Sequence, residues 1–184
     1  MSIDQEPKMF NVAGKYGLII AFASVIAALL MFVVGMEQSP IGQYLGYFIT
    51  VAGLVFGIRE YRDQELGGGI RFGQIIKFGV LTCALAGLVM GAYMYVYVKF
   101  INPEFIKQAL LLAEEAMYEQ GQPEEVIEQG MTYTRMFFQP GFLIIASVLG
   151  QIFIGLIFSG IIGLFMQKQQ PNNFNNEDDF NQAA

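Results

Sequence analysis

Four apolar runs, none holding a Lys, Arg, Asp or Glu, limit what this chain can fold into. They are Tyr16–Met36, Ile41–Ile58, Phe78–Val98 and Phe142–Met166, each 18 to 25 residues long. About 20 helical residues cross a hydrocarbon core of about 30 Å. Lipid offers no hydrogen-bond partner to the backbone, so each run is expected to be a helix that pairs its own N–H and C=O groups. A mean hydropathy of +0.47 and a 54% hydrophobic content exceed what soluble domains carry. The predicted fold class is all-α: an integral membrane four-helix bundle, with an extracytoplasmic amphipathic helical hairpin between spans three and four.

Charge orients the bundle. Lys8 and Lys15 precede the first run, and Arg59, Arg62, Arg71 and Lys77 crowd the link between runs two and three. Lys168 follows the fourth run. Lys99, Lys107 and Arg135 share the segment after run three with seven acids. Basic loops stay in the cytoplasm. Residues 1–15, the 59–77 link and the tail 167–184 are therefore expected inside, and the hairpin at about 102–139 outside. The first run is too long for a cleavable leader and lacks a small-x-small site, so it reads as a retained anchor.

Small residues decorate the runs at helical spacing. Gly42, Gly46, Thr50, Gly53 and Gly57 fall on one face of run two, and Gly87 and Gly91 form a second GxxxG in run three. Such faces let helix backbones approach closely in lipid. Gly46, Gly53, Gly57, Gly87 and Gly91 are therefore the expected helix-packing positions, within one bundle or between two copies of the chain. Gln151, about ten residues into run four, is expected to hydrogen-bond a neighbouring helix.

The chemistry available is narrow. The chain has no His and one Cys, Cys83, and its acids lie in loops. This excludes an internal disulfide and leaves no ligand set for zinc or a di-iron centre, so neither a metal nor another cofactor is expected. No charge lies inside a run to relay protons or sense voltage. A transport path would have to be lined by Ser24, Thr50, Thr82, Ser147, Gln151 and Ser159. If these converge on a groove, transport gains ground; if they meet in tight pairs, packing wins. Tyr93, Tyr95, Tyr97 and Phe100 close run three, and Tyr44 and Tyr47 open run two, where an aromatic interface belt belongs.

The link contains three consecutive glycines, Gly67–Gly69, read as a flexible hinge, followed by an apolar stretch entering run three. It lacks the phosphate-binding and dinucleotide motifs. Arg59, Arg62, Arg71 and Lys77 are the candidate lipid-headgroup or partner contacts. In the hairpin, Asn102 is placed to cap a first helix with Pro103 at its first position, Gly121 to stop it, and Pro123 to start a second. Its apolar face suits self-packing, a partner or the membrane surface, while Glu114, Glu115, Glu119, Glu124, Glu125 and Glu128 form a solvated acidic face. The Asn-rich acidic tail, with Phe174 and Phe180, is expected to be disordered.

The order of these elements, GIRFGQIIKFG before run three, VKFINPEFI after it, the Pro123–Glu128 run and MFFQPGF before run four, resembles domain of unknown function family 4199. The resemblance covers about residues 10–168. It implies a small inner-membrane protein of Gram-negative bacteria, with no assigned catalytic residues. It also implies an association with glycosyltransferases resembling those that use dolichol or polyprenyl phosphate. The expected function is a non-catalytic scaffold or accessory subunit in envelope biogenesis. Its expected partners are membrane lipids and a membrane or peripheral cytoplasmic protein, with a homo-oligomer as a further option and no nucleic acid. The alternative is a small transporter or flippase-like, lipid-handling protein.

Overall fold

A computed structural model describes residues 5–36 and 39–168. The tail expectation, Phe174 and Phe180 included, lies outside the described residues. The elements are α1 (Gln5–Val33), α2 (Pro40–Glu60), α3 (Phe72–Val96), α4 (Glu104–Glu119), α5 (Glu124–Phe137) and α6 (Pro140–Met166). Single π-helical turns, Tyr61–Glu65 and Tyr97–Ile101, continue α2 and α3. Four helices are long and apolar enough to cross a membrane, over Lys8–Val33, Pro40–Glu65, Phe72–Ile101 and Gly141–Met166. The chain is a multi-pass, all-α membrane protein; among the described residues the one extended pairing is an isolated bridge.

Local chemistry sets the helix starts. Ser39 Oγ accepts from the Ile41 N–H at 3.3 Å, and Pro40 takes a first-turn position where its missing N–H costs nothing. Gln74 reaches back to accept from the Arg71 N–H at 2.9 Å, closing the start of α3. Pro103, rather than the expected Asn102, takes the N-cap position of α4, which begins at Glu104; Asn102 Nδ2 donates to the Tyr97 hydroxyl at 3.3 Å. Gly121, at φ 69°, ends the α4 segment as predicted.

Packing runs in the order α2, α1, α3, α6. The α3–α6 seam is the most extensive, followed by α1 on α3 and α2 on α1, while α2 and α6 touch at few points. Glycines make the seams. A Cβ on Gly87 would stand 2.9 Å from the Val148 Cα, and one on Gly91 3.1 Å from the Ile144 Cα. On α2, Gly53 lies against Ile20 and Gly57 against Tyr16 and Phe78. Both GxxxG faces are therefore filled within the chain. Gly46 is a correction: nothing lies within 4 Å of the Cβ it lacks, because α2 has by then diverged from its neighbours.

The half of the bundle that carries the 59–77 link is solid. Leu54, Ile58, Ile75 and Phe78 are fully buried, and Tyr61 stacks on Phe78 with ring centres 5.4 Å apart. The glycine run forms a tight turn rather than an open hinge: Gly67 and Gly68 take φ of 66° and 92°, and the Gly68 N–H reaches Arg62 O at 2.9 Å. Ile70 then pairs with Lys168 through two backbone hydrogen bonds of 2.9 and 3.0 Å, joining the start of α3 to the end of α6. Lys15 bonds Glu60 at 2.8 Å, Tyr16 donates to the same carboxylate, and Lys8 meets Glu65 at 3.3 Å.

At the other end, α4 and α5 pack on each other. Ile127 and Met131 are buried, and the Met117 sulfur fills the space beside Gly130. Phe105 on Tyr97 and Phe137 on Phe142 fix the hairpin to α3 and α6.

Candidate functional site

Where α2 and α6 diverge, the hairpin half of the bundle holds a cavity of about 820 Å³ lined by all four spans and by Phe105. That volume falls within the about 300–1,000 Å³ of small-molecule sites. α1 and α3 form the back, α2 one wall and α6 the other. Much of the lining is small or apolar: Ala27, Ala28 and Met31 from α1, Met90 and Met94 from α3, Ala146 from α6. Gly42 and Gly46 keep the α2 wall thin.

Four of the six weakly polar residues expected at membrane depth converge here: Ser24, Thr50, Ser147 and Gln151. Thr82 and Ser159 do not line it; both are fully buried, and Ser159 fills the space beside Gly79 in the α3–α6 seam. Thr50 Oγ1 donates to Gly46 O at 2.9 Å, and Ser147 Oγ donates to Leu143 O at 2.7 Å. Each hydroxyl thus spends its proton on its own helix. Gln151 is the second correction. Its Cβ packs near Gly87, yet its buried Oε1 finds no partner on a neighbouring helix.

The mouth is aromatic. Tyr97 sits at its centre, with ring centres 5.7 Å from Phe32, 5.7 Å from Tyr93 and 5.6 Å from Phe105. Tyr97 is only 5% exposed, which removes it from the expected interface belt, and Tyr93 lines the cavity with it. Tyr44 and Phe100 remain exposed as belt residues would be. At depth, Tyr47 meets Phe158 edge-on at 5.9 Å, one turn beyond Ile154, and the solid link-end core follows.

The basic link residues do not form one cradle. Arg62 turns onto Asp63 at 2.7 Å. Arg59, Arg71 and Lys77 are exposed, and of these only Arg71 lines the small cleft of about 370 Å³ shared with Lys168 at the α3 start. Among the described residues no three His, Cys, Asp or Glu side chains gather as a metal site would require.

Ser159 and Gly163 read in the sequence as a small-xxx-small pair of run four, and the α3–α6 seam uses both, Ser159 beside Gly79 and Gly163 beside Phe72; the sequence reading does not single out the Gly155–Cys83 approach. The cavity itself had no signal beyond the small face of α2. A family model, described as protein of unknown function (DUF4199), matches residues 15–168, which include all four cavity walls and the hairpin. No curated protein and no solved structure matches the chain.

Proposed function

The chain belongs to the DUF4199 family, and on that premise we propose that it is a non-catalytic, lipid-handling membrane protein that takes one amphiphile into the cavity between α2 and α6. The observation that carries this reading is the convergence of Ser24, Thr50, Ser147 and Gln151 on a single space at membrane depth. The wall helices support entry from lipid. α2 and α6 touch at few points, and their outer faces expose Tyr44, Phe48, Leu149 and Phe153. The solid core around Phe78 and Ile58 argues for a blind site rather than a continuous pore. Basic residues at the link end favour placing that end and both termini in the cytoplasm of a bacterial inner membrane, so the cavity faces the outer leaflet.

A scaffold role for the link, serving a peripheral glycosyltransferase, is the second reading. It draws on a link held by ion pairs and the Ile70–Lys168 bridge while Arg59, Arg71 and Lys77 stay exposed.

Gly46 supplies the test. It lines the cavity and nothing lies within 4 Å of the Cβ it lacks, so Gly46→Phe places a ring in the space the lipid would take. Native mass spectrometry of protein released from lipid nanodiscs is expected to show one retained lipid on the wild type and none on Gly46→Phe, with melting temperature preserved. Equal retention by both would end the proposal.

A further inference from the structure

At the link end, the Ile70–Lys168 bridge gathers two cations from distant parts of the chain, and we propose that Arg71 and Lys168 form a binding site for the phosphate of an anionic phospholipid in the adjoining leaflet. The site lies at the far end of the bundle from the cavity and does not depend on what the cavity holds.

The spans set its depth. Arg71 stands immediately before the span Phe72–Ile101, and Lys168 lies just beyond the span Gly141–Met166. Both therefore fall where hydrocarbon gives way to headgroups. With Ile70, Phe72 and Gln167 they line a cleft of about 370 Å³. Ile70 is fully buried, and its two backbone hydrogen bonds to Lys168, 2.9 and 3.0 Å, hold the end of α6 against the start of α3. The cations are thus gathered before any ligand arrives, which lowers the ordering cost of binding. Leu164 and Phe165 are exposed on the last turn of α6, where acyl chains run beside the cleft.

Charge selects the ligand. Among the described residues no carboxylate lies within ion-pair distance of Arg71 or Lys168. Asp63 acts on Lys168 through space, but Arg62 already holds it at 2.7 and 3.1 Å. Lys8 and Lys15 are matched by Glu65 and Glu60. The lining therefore holds two positive charges, no negative one and a neutral amide, Gln167. Phosphate suits that set, since a guanidinium offers paired N–H donors to two phosphate oxygens and an ammonium adds a point charge. A phosphatidylcholine head suits it less, because its own choline balances its phosphate. Arg59 and Lys77 are exposed yet line no part of the cleft.

The chain has no Trp, so Phe165→Trp, at a position 84% exposed, gives a single lipid-facing reporter beside the site. In bilayers, its quenching by dibrominated phosphatidylglycerol is compared with quenching by dibrominated phosphatidylcholine of identical chains. A cation near a membrane surface is worth about a fivefold gain for an anionic lipid. The expected result is at least about a tenfold preference for phosphatidylglycerol, cut about fivefold by Arg71→Gln or by Lys168→Gln. The bridge uses only main-chain atoms of residue 168, so Lys168→Gln leaves it in place. Arg59→Gln and Gly46→Phe are expected to change nothing, so the site and the cavity fail or stand separately. No preference, or an equal loss on Arg59→Gln, would overturn the site in favour of diffuse surface charge. Inorganic phosphate is expected to weaken the preference no more than chloride at the same ionic strength. Selective erasure by phosphate would assign the cleft to a soluble phosphate compound and overturn the lipid assignment.

Discussion

Single glycines divide into those that hold helices together and those that do not. Gly87 has Val148 backbone where its Cβ would stand, so Gly87→Leu must push α6 away from α3. Overpacking of this kind costs about 1–3 kcal/mol, and backbone atoms cannot yield as a side-chain tip can. Gly46→Leu enters open space and is expected to cost under about 0.5 kcal/mol. Thermal unfolding in detergent, followed by helical circular dichroism, checks the contrast; equal losses would mean the α3–α6 seam is not as tight as described. Sequence spacing alone grouped Gly46 with Gly53 and Gly57. A small-residue stripe shows that close approach is available, and only the crossing of the helices decides which part of the stripe is used.

Elements carry the second lesson. Gly67 and Gly68 turn the chain in the left-handed region, where a Cβ meets the following carbonyl. Gly68→Ala, at φ 92°, is expected to destabilise by about 1–2 kcal/mol. Gly73→Ala, in the first turn of α3 with open space around it, is expected to be neutral or to gain up to about 1 kcal/mol. A melting-temperature comparison of the two variants separates a structural turn from a slack linker, since slack glycines would tolerate both. The spans were legible because length and the exclusion of charge are sufficient signals in lipid. Gly121 and Pro123 likewise punctuated the hairpin in plain view. The π turns were not legible, since no residue type demands one. Tyr97 therefore read as a belt tyrosine, whereas the π turn that starts at Tyr97 holds its ring inward against Phe32 and Phe105. The cavity was hidden for a related reason: it exists because α2 and α6 diverge, and divergence is a property of pairs of helices.

For the whole molecule, the proposed orientation puts the acidic hairpin and the basic link on opposite sides of the membrane. Cys83 is buried against Gly155, so Cys83→Ala gives a background on which single cysteines report. In intact cells, a membrane-impermeant maleimide is expected to label a cysteine at Glu125, an exposed position of α5, and to spare one at Arg71. The reverse pattern would invert the topology and move the cavity to the other leaflet. The bundle's two halves differ in kind, one packed through and one hollow. An occupant of the hollow half is drawn from a single monolayer, whichever way the protein is threaded. If the cavity loads lipid as proposed, each loaded copy subtracts area from that monolayer alone, so the abundance of the protein would bear on the area imbalance between the two faces of its membrane, and with it on the membrane's tendency to curve.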